Sequence, residues 1–144
     1  MSVILLSSTE FSEMEVSSTW PTRGYVSDEF GSWDQFRKDL GLGPHSGTDI
    51  ANEHGQIGEP VTTFMTGKIV YVDNDKAGDC GKSVKVEHDF NITSLYCHLD
   101  SAIELTPGTP VVPGDLIGYM GSTGTSTGAH LHLSIYVYGV LVNP

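Results

Sequence analysis

Basic residues are scarce in this 144-residue chain: 7 lysines and arginines stand against 18 aspartates and glutamates, a formal net charge of -11. Such a surface repels a phosphate backbone, so no nucleic-acid partner is expected. The same acidity disfavours electrostatic adhesion to any anionic polymer. Long apolar runs are also missing. No stretch approaches the ~20 residues that a membrane-spanning helix needs, and no membrane span is expected. The apolar start is confined to residues 3–6 and has no basic leader, so no signal peptide is visible. Cysteine is limited to Cys80 and Cys97, too few for a disulfide framework and not spaced as a metal knuckle. The plainer reading is one buried thiol and one surface thiol; a single disulfide is the alternative that sequence leaves open.

The hydrophobic content of 38% and the length fit one domain with a real core. Residues 1–22, rich in Ser, Thr and Glu, read as an N-terminal extension or arm with a short strand around 3–6. Residues 23–144 read as the main domain. Ser32-Trp33-Asp34-Gln35 has the form of a capping box, with Ser32 as N-cap and Gln35 reaching back. Trp33, Phe36 and Leu40 then recur at helical spacing, and Gly41 supplies a stop. This predicts one short helix over 33–40.

Beyond it the period changes to two. Strands are predicted at 68–73, 83–88, 92–99, 116–120 and 130–138, the last as the longest, with a hairpin turn at Asp89-Phe90-Asn91. Short strands at regular spacing indicate a mainly β domain, a single antiparallel sheet or sandwich with one short N-terminal helix. In the last strand Leu131, Leu133, Ile135 and Val137 alternate with His130, His132, Ser134, Tyr136 and Tyr138. One face is aliphatic and core-directed; the other carries imidazole, hydroxyl and phenol groups and reads as the floor of a cleft.

His130 and His132 lie at i and i+2, so both imidazoles project from one face. Upstream stands His45-Ser46-Gly47-Thr48-Asp49, where nearby glycines and Pro44 disfavour a helix and Gly47 permits close approach of backbone. Imidazoles with one carboxylate suit zinc, and three protein ligands with an open position form its catalytic arrangement. A further histidine, His98, falls in the strand Leu95-Tyr96-Cys97-His98-Leu99.

These segments together resemble the lysostaphin and LytM type of zinc endopeptidase, of the duplicated hybrid motif fold. The likeness runs through His45-Ser-Gly-Thr-Asp49-Ile-Ala, Gly58-Glu-Pro-Val61, Gly67-Lys-Ile-Val70 and Leu95-Tyr-Cys-His98-Leu. It continues through Gly114-Asp-Leu-Ile-Gly118, the glycine-rich loop before Ala129-His130-Leu-His132, and Val142-Asn143-Pro144. The resemblance implies one zinc ion per chain, held by His45, Asp49 and His132. It implies His98 and His130 as the two catalytic histidines that do not bind metal. The implied activity is hydrolysis of peptide cross-links or stem peptides of bacterial peptidoglycan, at the cell wall or outside the cell. Tyr96, Ser134 and Tyr136 are expected to line the substrate cleft. A neutral imidazole near its ordinary pKa of ~6.5 would take the proton of water.

The alternative is a degenerate, non-catalytic member acting as a hydrolase activator or a structural particle component; a zinc amidase or carboxypeptidase is a third reading. Lack of a signal and strong acidity are consistent with a phage particle or a larger wall-lytic assembly that delivers the domain. His88 is expected off the metal, His54 solvated or at the cleft rim, and Glu59, Asp73, Asp75 and Asp79 solvated. Cys97 stands where the family has a small residue and is expected to point away from His98.

Overall fold

The computed structural model describes residues 2–6, 13–75, 78–102 and 104–144. Strands β1 (Ser2–Leu6) and β2 (Glu13–Ser17) form a separate antiparallel pair, from Ser2 opposite Ser17 to Leu6 opposite Glu13. The following segment is stitched to the main body: Thr19 N–H donates to Phe64 O, Thr62 N–H to Pro21 O, and Thr22 Oγ1 to Pro60 O.

The main body is one open antiparallel sheet. Its strands are β3 (Tyr25–Asp28), β4 (Thr48–Ala51), β5 (Pro60–Thr62), β6 (Gly67–Asp73) and β7 (Lys82–His88). They continue with β8 (Ile92–Ala102), β9 (Pro110–Val111), β10 (Leu116–Met120), β11 (His130–Val137) and β12 (Val140–Val142). The spatial order is β3-β4-β11-β8-β7-β6-β9, with β10 joining β5 to β8 and β12 beside β11. The expected mainly β class is correct. The longest strand, though, is β8 rather than β11, because Tyr138 and Gly139 adopt positive φ and turn the chain into β12. The predicted hairpin turn is present: Phe90 and Asn91 both have positive φ, which matches the twist of the flanking strands β7 and β8.

Period-two sequences bury one face. Leu131, Leu133 and Ile135 from β11 meet Val84 and Val86 from β7, Ile50 from β4, Ile92 and Leu99 from β8 and Ile117 from β10. Removing a fully buried leucine such as Leu131 down to alanine costs about 2–5 kcal/mol.

Among the described residues there is one helix, α1 (Gln35–Asp39), which is shorter than the predicted 33–40 and is capped differently. Asp34, not Ser32, is the N-cap: its carboxylate accepts from Arg37 N–H at 3.0 Å. Gln35 does not reach back but donates forward from Nε2 to Asp39 Oδ1. Ser32 is instead held outside the helix, its N–H on Glu29 O and its carbonyl accepting from His45 N–H, so the helix starts two residues later. Gly41 stops it with φ +70°. The helix buries none of its own residues, and Trp33, Phe36 and Leu40 are all more than half exposed.

The two cysteines are joined. Cys80 and Cys97 form a disulfide, which replaces the expected pair of free thiols. Sequence distance hid it: Cys80 precedes β7 and Cys97 lies on β8, neighbours only once the β7–β8 hairpin forms.

Candidate metal centre and imidazole cluster

Antiparallel pairing of β4 with β11 places Asp49 opposite His132 and Ala51 opposite His130. His45, one turn of loop before β4, folds back by two backbone bonds with the 31–32 segment, Gly31 N–H to His45 O and His45 N–H to Ser32 O. Three donor atoms converge. His45 Nε2 and Asp49 Oδ1 are 3.1 Å apart, His132 Nδ1 and Asp49 Oδ1 2.9 Å, and His45 Nε2 and His132 Nδ1 3.1 Å. Zinc bonds of about 2.0–2.2 Å at tetrahedral angles space the ligand atoms about 3.3 Å apart, so these residues fit such an ion. Among the described residues, His45, Asp49 and His132 are the His, Cys, Asp or Glu group with that spacing.

The remaining ring atoms determine which nitrogens are bare. His45 Nδ1 lies 3.0 Å from Glu29 O. A carbonyl only accepts, so Nδ1 carries the proton and Nε2 offers a lone pair. Asp28 Oδ2 sits 3.3 Å from the same Nδ1 and 3.0 Å from Arg37, so α1 is tied to the centre through Asp28. On the other side Ser134 Oγ donates to Ser46 O at 3.1 Å and is 2.9 Å from His132 Nε2. Its single proton being used, Ser134 accepts from His132 Nε2–H, which leaves Nδ1 bare. Gly47 meets the expectation of close approach: a Cβ there would fall 2.2 Å from Leu133 O and 2.9 Å from His132 Nε2.

Two more imidazoles face this cluster. The His98 ring is 4.7 Å from that of His130 and 5.9 Å from that of His132. His98 Nδ1–H donates to Thr123 O at 2.7 Å and His130 Nδ1–H to Gly128 O at 2.8 Å. In the neutral form of either ring Nε2 is then the bare nitrogen, and that of His130 is 3.6 Å from Asp49 Oδ2. One glycine-rich loop therefore sets both tautomers through main-chain carbonyls. Residue identities carry no sign of those bonds.

His98 reaches the cluster through a fault in its strand. Its φ is +63°, a left-handed value that costs a non-glycine residue on the order of 1 kcal/mol. Registers slip here: Leu99 pairs with Lys82 but Tyr96 with Val84, so one residue of β8 is extra. Tyr96 and Leu99 both enter the core, and the two residues between them take positions where regular alternation allows one. At the same point β8 exchanges β11 for β10 as its partner.

Electrostatics follow from the packing. Burial tends to raise the Asp49 pKa, but hydrogen bonds to His132 and His45 outweigh it and hold the carboxyl well below its usual range. Burial likewise opposes charge on His45, yet the Asp49 carboxylate overcomes it and raises that pKa. His98 departs from the expectation of an ordinary imidazole: burial, aided by His130 and His132, holds it down to about 4 against the Thr123 carbonyl.

The model of peptidase family M23 matches residues 43–144. The chain belongs to that family. Over 100 residues it is 38% identical to the DD-carboxypeptidase/endopeptidase Mpg of Neisseria meningitidis serogroup B, covering 69% of this chain and 22% of that protein. It is 34% identical over 125 residues to the murein hydrolase activator NlpD of Escherichia coli, covering 87% of this chain and 29% of that protein. The chain thus spans under a third of either relative. A zinc-containing peptidase from Vibrio cholerae superposes with a TM-score of 0.75 at 25% identity, covering 99% of this chain and 45% of that one.

Within this M23 domain, the cleft-lining expectations divide. Tyr96 is fully buried; its hydroxyl accepts from Phe64 N–H and bonds Ser94, which in turn meets His88 Nε2. Unbroken alternation would put Tyr96 on the face of His98; the extra residue of β8 turns it into the core instead. Ser134, 2% exposed, lies beneath His132 instead of facing a substrate. Tyr136 is half-buried on the same face, with the Lys85 ammonium 5.9 Å from its ring. His88 lies outside the three-residue cluster, buried with Nδ1–H on Thr66 O. His54 is exposed and lines a separate cleft of about 610 Å³ with Trp20, Arg23 and Glu59. Asp79 is not merely solvated: its Oδ1 accepts from Thr125 Oγ1 at 2.8 Å.

Proposed function

We propose that this domain is a zinc-dependent endopeptidase that hydrolyses peptide bonds of bacterial peptidoglycan, with His45, Asp49 and His132 as metal ligands. The observation that carries the reading is the convergence of three bare donor atoms at 2.9–3.1 Å beside two imidazoles whose Nε2 atoms are also bare. Zinc bound there supplies Lewis acidity for the scissile carbonyl and lowers the pKa of water. The protein's own groups do the rest. His98, kept neutral by its lowered pKa, and His130 each turn Nε2 toward the centre to receive the proton that water gives up. The protonated imidazole then returns it to the leaving amine. Their Nδ1–H bonds to Thr123 O and Gly128 O keep both rings from turning away. Tyr136, open on the same face of β11, is the residue left to contact substrate beside the centre.

The likeness to a murein hydrolase activator supports a second reading, a domain that stimulates another wall hydrolase. The purified protein, incubated with purified peptidoglycan and analysed by mass spectrometry, separates the two. New peptide amino termini that depend on zinc are expected. Their absence, with release restored only when another hydrolase is added, would establish the activator. The chain's acidity disfavours unaided adhesion to an anionic wall and so favours delivery of the domain, as by a phage particle. It is tested by looking for the protein in purified virions.

A further inference from the structure

We infer that the Cys80–Cys97 disulfide is a positioning element for His98, so that turnover belongs to the oxidised protein; the inference rests on the peptidase reading above. Cys97 is the residue immediately before His98, at the strand fault that turns this imidazole to the cluster. Cys80 holds that fault twice, through the Cys97 sulfur and through its carbonyl, which accepts from His98 N–H at 2.7 Å.

The segment around Cys80 also grips the loop that sets the His98 tautomer. Lys82 N–H donates to Thr123 Oγ1 at 3.0 Å, and Thr123 Oγ1 donates to Leu99 O at 2.7 Å. Thr125 is bound on both sides by Asp79, its N–H to the carbonyl at 3.0 Å and its hydroxyl to the carboxylate at 2.8 Å. Contact is tight enough that a Cβ on Gly81 would lie 2.5 Å from Thr123 C, and one on Gly124 2.5 Å from Gly81 N. A closed circuit results: Cys80 to Cys97, on to His98, across to Thr123, and back through the loop to residues 79–82. The disulfide is its one covalent link between β8 and the 78–81 segment. Without it, a left-handed histidine is held by hydrogen bonds alone.

The metal ligands stand outside this circuit. Besides one another, their side chains meet Asp28, Glu29, Ser46, Ser134 and His130, none of them in the 78–82 or 121–125 segments. Cys97 does pair across from His132, but that register runs the length of the ladder to Val137 opposite Ile92 and does not need the sulfur bond. Loss of the disulfide therefore moves an imidazole and leaves the ligands in place. In a reducing cytosol the two thiols would stay apart, and the domain would acquire full activity only in an oxidising setting.

The chemistry of the test is a thiol–disulfide exchange. A dithiol reductant delivers two electrons and two protons; the Sγ–Sγ bond breaks, both cysteines become thiols, and the reductant closes to its own disulfide. The 144-residue chain is assayed oxidised, reduced (with the free thiols titrated) and reoxidised, beside the Cys80→Ser/Cys97→Ser double variant. Reduction is expected to lower kcat about tenfold or more, with KM and calorimetric zinc affinity little changed, and reoxidation to restore it. The double variant should match the reduced protein and ignore reductant. In His98→Ala, reduction should leave the residual rate unchanged. A reduced protein that only melts earlier while keeping its kcat would overturn the inference, as would a loss of zinc parallel to the loss of rate. An activity-free readout separates failure of the peptidase reading: the nitrogen shifts of the His98 ring should report a fixed Nδ1–H tautomer when oxidised and exchange between tautomers when reduced. An inactive oxidised protein refutes the peptidase reading; an unchanged ring signal refutes the positioning role.

Discussion

His132 and His98 bring imidazoles to one centre by opposite means. His132 stands in a regular ladder, opposite Asp49 on one side and Cys97 on the other. Its direction follows from strand periodicity, and its tautomer from a serine two residues along. His98 stands on an extra residue with a left-handed backbone, braced by a disulfide and by a loop carbonyl. The proposed ligand side of the site uses the default geometry of a sheet. The proposed acid–base side uses a departure from it, maintained by contacts that reach across the chain. A bound ion tolerates little movement in its ligands, and a rigid ladder supplies that. A proton-transferring imidazole needs a fixed tautomer and a free second nitrogen, which the loop carbonyls supply.

The contrast can be broken from either side. His98→Ala should lower turnover by about 10²–10⁴-fold while zinc stoichiometry stays unchanged, the two being read by peptide release and by metal analysis of the dialysed protein. Next in size, Gly47→Ala introduces a methyl into Leu133 O and His132 Nε2. Zinc affinity should fall about 10–100-fold, as for loss of groups that orient a ligand, and calorimetric titration measures it. Ser134→Ala removes the acceptor for His132 Nε2–H, and a drop of about tenfold in zinc affinity is expected. Asp28→Asn should cost less than Ser134→Ala in the same titration, since Glu29 O still accepts from His45 Nδ1.

The smallest effect concerns a histidine away from the centre. Burial lowers the His88 pKa from the unfolded value of 6.5, against the bond from its Nδ1–H to Thr66 O. The unfolded chain therefore binds more protons as pH falls below about 6.5, and folding stability contributed by neutral His88 is lost in that range. The melting-point advantage of the wild type over His88→Gln should be larger at pH 7.5 than at pH 5. An equal or growing advantage at pH 5 would reverse the assigned sign.

The same contrast explains what the amino-acid order could reveal. Alternation in β11 was enough to put Leu131 and Leu133 inside and His130 and His132 on one open face. Gly47 signalled close approach because no other residue fits beneath His132. Tyr96 was misplaced because periodicity has no means of announcing an extra residue, and a histidine at positive φ leaves no mark on composition. The disulfide was equally silent, since its cysteines become neighbours only through the register of β7 and β8. Helix α1 illustrates another limit: Trp33, Phe36 and Leu40 have helical spacing, yet tertiary structure leaves them uncovered. Main-chain acceptors such as Thr123 O and Gly128 O are invisible in principle, because every residue has a carbonyl.

Three side chains, from β11, β4 and the loop before it, are proposed to hold one ion, with His98 outside the ligand set. Calorimetric zinc titration of the wild type, His132→Ala and His98→Ala decides between these roles. One ion per chain is predicted for the wild type and for His98→Ala, with tight binding lost in His132→Ala. Equal zinc binding by all three proteins, or its loss in His98→Ala, would contradict this assignment.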